Sequence, residues 1–184
     1  MAVHNRQGVD FLRVNGFSRV VLAREMAFSE IRDCAGRGVQ LEVFVHGALC
    51  VSCSGQCLMS SVIGGRSGNR GLCAQPCRLN YRLEGPAVRA EGALLSTRDL
   101  NLLSNLQRLQ EAGAGSLKIE GRLKGPEYVG QVTAAYRRAL DALAAGEAPE
   151  PDALRHVFNR GYTFGYGPGL IDRALIEDQS EKHV

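Results

Sequence analysis

Residues 17–45 read FSRVVLAREMAFSEIRDCAGRGVQLEVFV, and this stretch decides the fold. Phe17 to Ala23 is apolar and β-branched, the composition of a buried strand. Val39 to Val45 alternates and ends in His46-Gly47, a second strand. Between them, Ser29 and Glu30 stand near the start of a helix that runs to about Arg37. Upstream, Gly8 to Asn15 reads as a short helix. Downstream come a short strand at Gly92–Leu95, a helix over Leu100–Glu111 with Asp99 as its cap, and a strand at Ser116–Ile119. Pro126 suits a first helical turn, and Glu127 to Ala145 then gives a long helix ending at Gly146. Strands alternating with helices imply a parallel sheet.

The chain has 184 residues, and a closed eight-fold barrel takes about 250. The expected fold is therefore α/β, either a small open sheet or, the preferred reading, a partial (β/α) barrel-like parallel sheet over residues 1–146, with a Cys-rich loop at 46–82. Residues 147–151 (EAPEP) form a Pro-rich break. In residues 158–169 (FNRGYTFGYGPG) glycines alternate with aromatics, as in a short hairpin. Residues 147–184 are thus expected to be a linker and the start of a short C-terminal β region. A half barrel would expose apolar inner positions such as Val20, Leu22, Val43 and Val45.

Composition narrows the class. With 45% hydrophobic and 22% charged residues, the chain is neither disordered, collagen-like nor a coiled coil. No apolar run approaches about 18 residues, and the first fifteen (MAVHNRQGVDFLRVN) lack a basic start before an apolar core. No membrane association is expected. The net charge of +3 is too mild to indicate a nucleic-acid partner by itself. Its distribution says more: Arg66, Arg70, Arg78 and Arg82 fall in a stretch without acidic residues. That run reads either as a solvated positive loop or as a patch for phosphate.

Five of the six cysteines, Cys50, Cys53, Cys57, Cys73 and Cys77, crowd into 28 residues; only Cys34 lies outside. Without an export signal, clustered thiols suit metal binding in the reducing cytoplasm better than disulfides. Two ligand sets fit. Cys50-x2-Cys53 with Cys73-x3-Cys77 approximates a zinc ribbon. Cys50-x6-Cys57 with Cys73-x3-Cys77 spaces four thiolates more widely, as the larger body of an iron–sulfur cluster requires.

The stretch EVFVHGALC (42–50) followed by SGQCLMS (54–60) resembles the signature of peptidase family U32, the collagenase-like proteases. GRSGNRGLCAQPCRLNY (65–81), LSTRDLNLL (95–103), SLKIEGRLKGPEYV (116–129) and FNRGYTFGY (158–166) also resemble that family, in its usual order. The resemblance implies a barrel-type fold that this chain enters in mid-barrel, near Ala2-Val3-His4-Asn5. The expectation is a C-terminal fragment or split-gene product, poorly stable and not fully active without a missing N-terminal half. It also implies a four-iron four-sulfur cluster on Cys50, Cys57, Cys73 and Cys77, and hydroxylation of ribosomal or transfer RNA bases, with RNA as partner. Arg66, Arg70 and Arg78 are then the candidate substrate-binding residues. The family name implies peptide hydrolysis as the alternative, and a non-catalytic zinc module is a third reading.

Barrel enzymes place their chemistry at the C-terminal ends of strands. Glu42 and His46, four apart and so expected on one side of their strand, are catalytic candidates, as are Lys118 and Glu120. A Lys–Glu set that merely pairs inside the sheet, and a turn histidine at a loop entry, are equal readings. Arg24, Glu25 and Arg122 also lie at strand ends. Asn159 and Arg160 suit an anion site or a hairpin equally. For hydrolysis there is no G-x-S-x-G and no H-E-x-x-H. Ser52, Ser54, Ser60, Ser61, and Cys50 or Cys53 with His46, are candidates by proximity alone.

Overall fold

In the computed structural model, which describes residues 3–86, 88–150, 152–169 and 173–177, strand β2 (Gln40–Ala48) is the spine of the sheet. Strands β1 (Arg19–Val21) and β6 (Ala114–Ile119) pair with it in parallel. Strand β5 (Asp99–Asn101) pairs antiparallel with its last residues, and β7 (Tyr162–Thr163) adds to β5 in parallel. No closed barrel forms among the described residues. Strands β3 (Tyr81–Gly85) and β4 (Val88–Gly92) make a separate two-stranded hairpin. Met1, Ala2, Pro151 and most of the expected C-terminal β region beyond Gly169 lie outside the described residues.

Local chemistry accounts for the helices. Helix α1 (Arg6–Val14) is capped by the Asn5 side chain, which accepts from the Gly8 amide at 2.9 Å. At the start of α2 (Phe28–Cys34), the Glu30 carboxylate reaches back to the Ala27 amide at 2.7 Å. Helices α3 (Met59–Gly64) and α4 (Leu106–Glu111) are short. Helix α5 (Pro126–Ala144) opens on its proline and buries Val132, Ala135, Tyr136 and Ala139, one stripe at helical spacing.

The two faces of the sheet differ. Leu41, Val43 and Val45 alternate toward the helices and join one buried cluster with Leu109, Val132 and Tyr136. Glu42 and Phe44 point the other way. The expectation that Val20, Leu22, Val43 and Val45 would stand uncovered is therefore corrected: they are 2%, 2%, 6% and 0% exposed. They face the helical layer, and each contributes about 1.5–3 kcal/mol through burial.

The helix expected over Leu100–Glu111 begins only at Leu106. Asp99–Asn101 are taken by pairing with β2 and β7, and Leu103–Asn105 form a 3-10 turn. Asp99 is thus a buried strand residue bonded to Arg160, not a helix cap. Of the strand expected at Gly92–Leu95, only Gly92 is a strand residue, the last of β4; Leu94 and Leu95 form a turn. In place of a hairpin within 158–169, the described residues hold only β7. Gly47 has φ +103°, and a Cβ there would lie 2.3 Å from the Glu120 carbonyl oxygen. Only glycine lets the segment after β6 cross β2 so closely.

Candidate functional site

Four ties fasten the loop after β2. Arg78 Nη2 donates to the Leu49 carbonyl at 2.7 Å. Its Nη1 donates to Ser96 Oγ at 2.9 Å and to the Thr97 carbonyl. The Glu25 carboxylate accepts the Ser54 amide at 2.6 Å and the Ser54 hydroxyl at 2.8 Å. Arg122 Nη2 donates to the Cys73 carbonyl at 3.3 Å. Ser60, buried on α3, accepts from the Ala74 amide at 3.0 Å.

The ties enclose a cavity of about 360 Å³ at the C-terminal ends of β1, β2 and β6. Cys50, Cys53, Cys57, Cys73 and Cys77 all line it, opposite Arg24, Phe44, Glu120 and Arg122. Burial pushes the Cys77 thiol up; Arg78 pulls it down, and Cys50, Cys73 and Cys57 push it up again. Burial pushes the Tyr166 hydroxyl up, and Glu25, Cys53 and Cys50 push it further. Among the described residues, no three His, Cys, Asp or Glu side chains converge on the position of one metal ion. The five thiols line one cavity, a sulfur donor set of the kind that an iron–sulfur cluster or a zinc ion takes. Cys34 is buried in the helical core, away from this cavity.

Of the catalytic candidates, only Glu120 lines the cavity, held by Arg24 at 3.0 Å. Glu42 and Lys118 lie on the same sheet face and pair at 3.2 Å. Burial raises the Glu42 pKa, but hydrogen bonds from Ser116 and Lys118 and the charges of Lys118 and Arg19 outweigh it and hold the group below the ordinary range. His46 does not share their face. An irregularity in the β2–β6 pairing between Phe44 and His46 breaks the alternation. It sends His46 into the core beside Tyr136, at 1% exposure.

The arginines divide. Arg66 and Arg70 are exposed on the loop. Arg78 is spent on the loop's frame, and Arg82 pairs with Glu91 across the hairpin and with Glu84 on its own strand. Arg160 binds Asp99 at 2.8 Å rather than standing free for an anion, and Asn159 braces its own turn. Sequence reasoning missed Phe44, over which Arg24 stacks at 4.1 Å; its place in the alternation with Glu42 was the available signal.

The sequence pattern of peptidase family U32 matches residues 1–173. The chain belongs to peptidase family U32. Among its curated relatives, the 23S rRNA 5-hydroxycytidine C2501 synthase of Escherichia coli is 47% identical over 137 residues, 72% of this chain and 21% of that protein. The tRNA hydroxylation protein P1 of Bacillus subtilis is 39% identical over 154 residues, 78% of this chain and 36% of that protein. A collagenase of Porphyromonas gingivalis is 36% identical over 170 residues, 80% of this chain and 41% of that protein. The chain spans less than half the length of these U32 relatives. No solved structure matches it at a significant level. Among the described residues, no helix is long and apolar enough to cross a membrane.

Proposed function

We propose that this chain carries the cofactor site of a cytoplasmic iron–sulfur enzyme that hydroxylates bases of ribosomal or transfer RNA. One observation carries the reading: Cys50, Cys57, Cys73 and Cys77 line a single cavity at the strand ends, with Cys53 beside them as a spare thiol. The names of the RNA-hydroxylating relatives supply the substrate class. A four-iron four-sulfur cluster held by these thiolates supplies one-electron redox chemistry. Arg78, next to Cys77 and fixed by three acceptors, holds the loop in register and adds positive charge beside the thiolates. Arg24 holds the Glu120 carboxylate by an ion pair at the cavity wall, within reach of a base bound there. Arg66 and Arg70, exposed on the same loop, suit RNA phosphates.

Anaerobic purification with iron, sulfide and zinc analysis tests this. Brown protein with about four irons per chain is expected, with colour lost on replacing Cys50, Cys57, Cys73 or Cys77 by Ala and kept in Cys34→Ala. Colour that survives Cys57→Ala but vanishes in Cys53→Ala overturns the ligand set. Stoichiometric zinc without iron overturns the cluster.

A peptidase reading rests on the collagenase-named relative. Ser54 lines the cavity, yet its hydroxyl donates to Glu25, and His4 lies beyond that carboxylate at 3.5 Å. A nucleophile with its imidazole on the far side of the acid lacks the serine–histidine contact that activation needs.

A further inference from the structure

Lys124 closes the segment that follows β6, two residues after the arginine that holds Cys73. Its ammonium sits 5.0 Å from the Tyr128 ring centre and 3.8 Å from that of Phe158. Lys118 has Glu42 and Arg160 has Asp99, but among the described residues no carboxylate lies within ion-pairing distance of Lys124. Asp99, the acid that acts on it, is already bonded to Arg160 at 2.8 Å. Burial lowers the Lys124 pKa; Asp99 raises it, and Arg160 and Arg78 lower it again.

Phe158 is 62% exposed, although it sits next to buried Val157. Its backbone is braced by Asn159, whose amide donates to the Val157 carbonyl at 2.8 Å and whose carbonyl oxygen accepts from Gly161 at 2.9 Å. The ring is therefore displayed on a fixed frame, with one side against Lys124. Leu123, 82% exposed, holds φ +62°, a conformation leucine rarely adopts. An apolar side chain, an unpaired ammonium and a displayed aromatic thus stand together beside the cavity. Single-stranded nucleic acid is recognised by such a set, with bases stacking on aromatic rings and phosphates on cations. An uncharged peptide would leave the ammonium without its anion.

We propose that Phe158 and Lys124 form a nucleotide platform, on which an unpaired base of the RNA stacks against Phe158 and an adjacent phosphate sits on Lys124. This rests on the RNA reading above and assigns residues to it. The test is fluorescence anisotropy of the whole chain with a short, labelled single-stranded RNA, titrated at several salt concentrations. Phe158→Leu is expected to weaken binding by about 5- to 100-fold. Lys124→Gln is expected to weaken it and to lower the salt slope by about 0.7. Phe11→Leu, at an equally exposed ring on α1, should leave affinity unchanged.

Wild-type affinity in both platform variants overturns the platform and leaves the RNA reading standing. A wild-type chain that binds no RNA overturns both. Loss of binding to a proline-rich peptide in Phe158→Leu, with RNA binding intact, assigns the ring to a peptide partner and overturns the proposal. Circular dichroism checks that each variant folds. Photo-crosslinking of wild-type protein to 4-thiouridine RNA avoids mutation altogether: a crosslink in the segment holding Phe158 is expected, and a map without it overturns the platform.

Discussion

His46 packs its ring against Tyr128, Tyr136 and Tyr162 at 5.6–6.1 Å, and among the described residues neither ring nitrogen has a hydrogen-bond partner. Burial, and then the Lys124 charge, lowers its pKa to about 4. An unfolded histidine titrates near 6.5. Between pH 6.5 and about 4 only the unfolded chain takes up this proton, so the histidine's contribution is whole above pH 6.5 and drains away as the pH falls. The full loss is on the order of 3 kcal/mol. Urea midpoints taken between pH 7 and pH 4.5 should fall in the wild type and stay nearly level in His46→Phe. A level wild-type curve would mean that the core accepts the imidazolium. The window stops at pH 4.5 because Glu42, held below its ordinary range, begins to lose its own contribution in stronger acid.

At the scale of elements, Arg78 is the pin between the cysteine loop and the start of β5. A lysine cannot reach Leu49, Ser96 and Thr97 together, because it lacks the planar fork. Arg78→Lys is expected to cost about 2–4 kcal/mol and to raise amide hydrogen exchange across residues 49–78 while α5 stays protected. Unchanged exchange in the loop would show that the Glu25–Ser54 tie suffices. The sequence made the cysteine loop legible, since thiol density needs no knowledge of the fold. It also made β2, α1 and α5 legible, because each carries its own period. Strand β5 was hidden. Three residues have no period, and the leucines from Leu100 to Leu109 mimic a helix stripe. What recruits them is distant: Leu102 donates to the Val45 carbonyl at 3.0 Å. The same holds for the arginines, which look alike in sequence until distant carbonyls claim Arg78, while the exposed Arg66 and Arg70 side chains have no partner among the described residues. A single bulge likewise moved His46 off the face that alternation gave it.

For the whole molecule, a net charge of +3 produces little long-range pull, so salt sensitivity must come from local contacts. With Arg78 bound inside and Arg82 paired, Arg66 and Arg70 are the loop arginines left for phosphate. The double variant Arg66→Ala, Arg70→Ala should flatten the plot of log affinity against log salt by roughly 0.7 per arginine. An unchanged slope would place the phosphates elsewhere.

The β3–β4 hairpin pairs with no other strand among the described residues, and most of its side chains are exposed. Its tip is thus the place where the chain can gain or shed residues during divergence without disturbing the sheet. Each doubling of a flexible loop costs only about 0.6 kcal/mol in closure entropy. Length variation among descendants of this chain should gather there, while the distance from Cys57 to Cys73, held by Ser60 and Asn69, is a dimension that natural drift has little freedom to change.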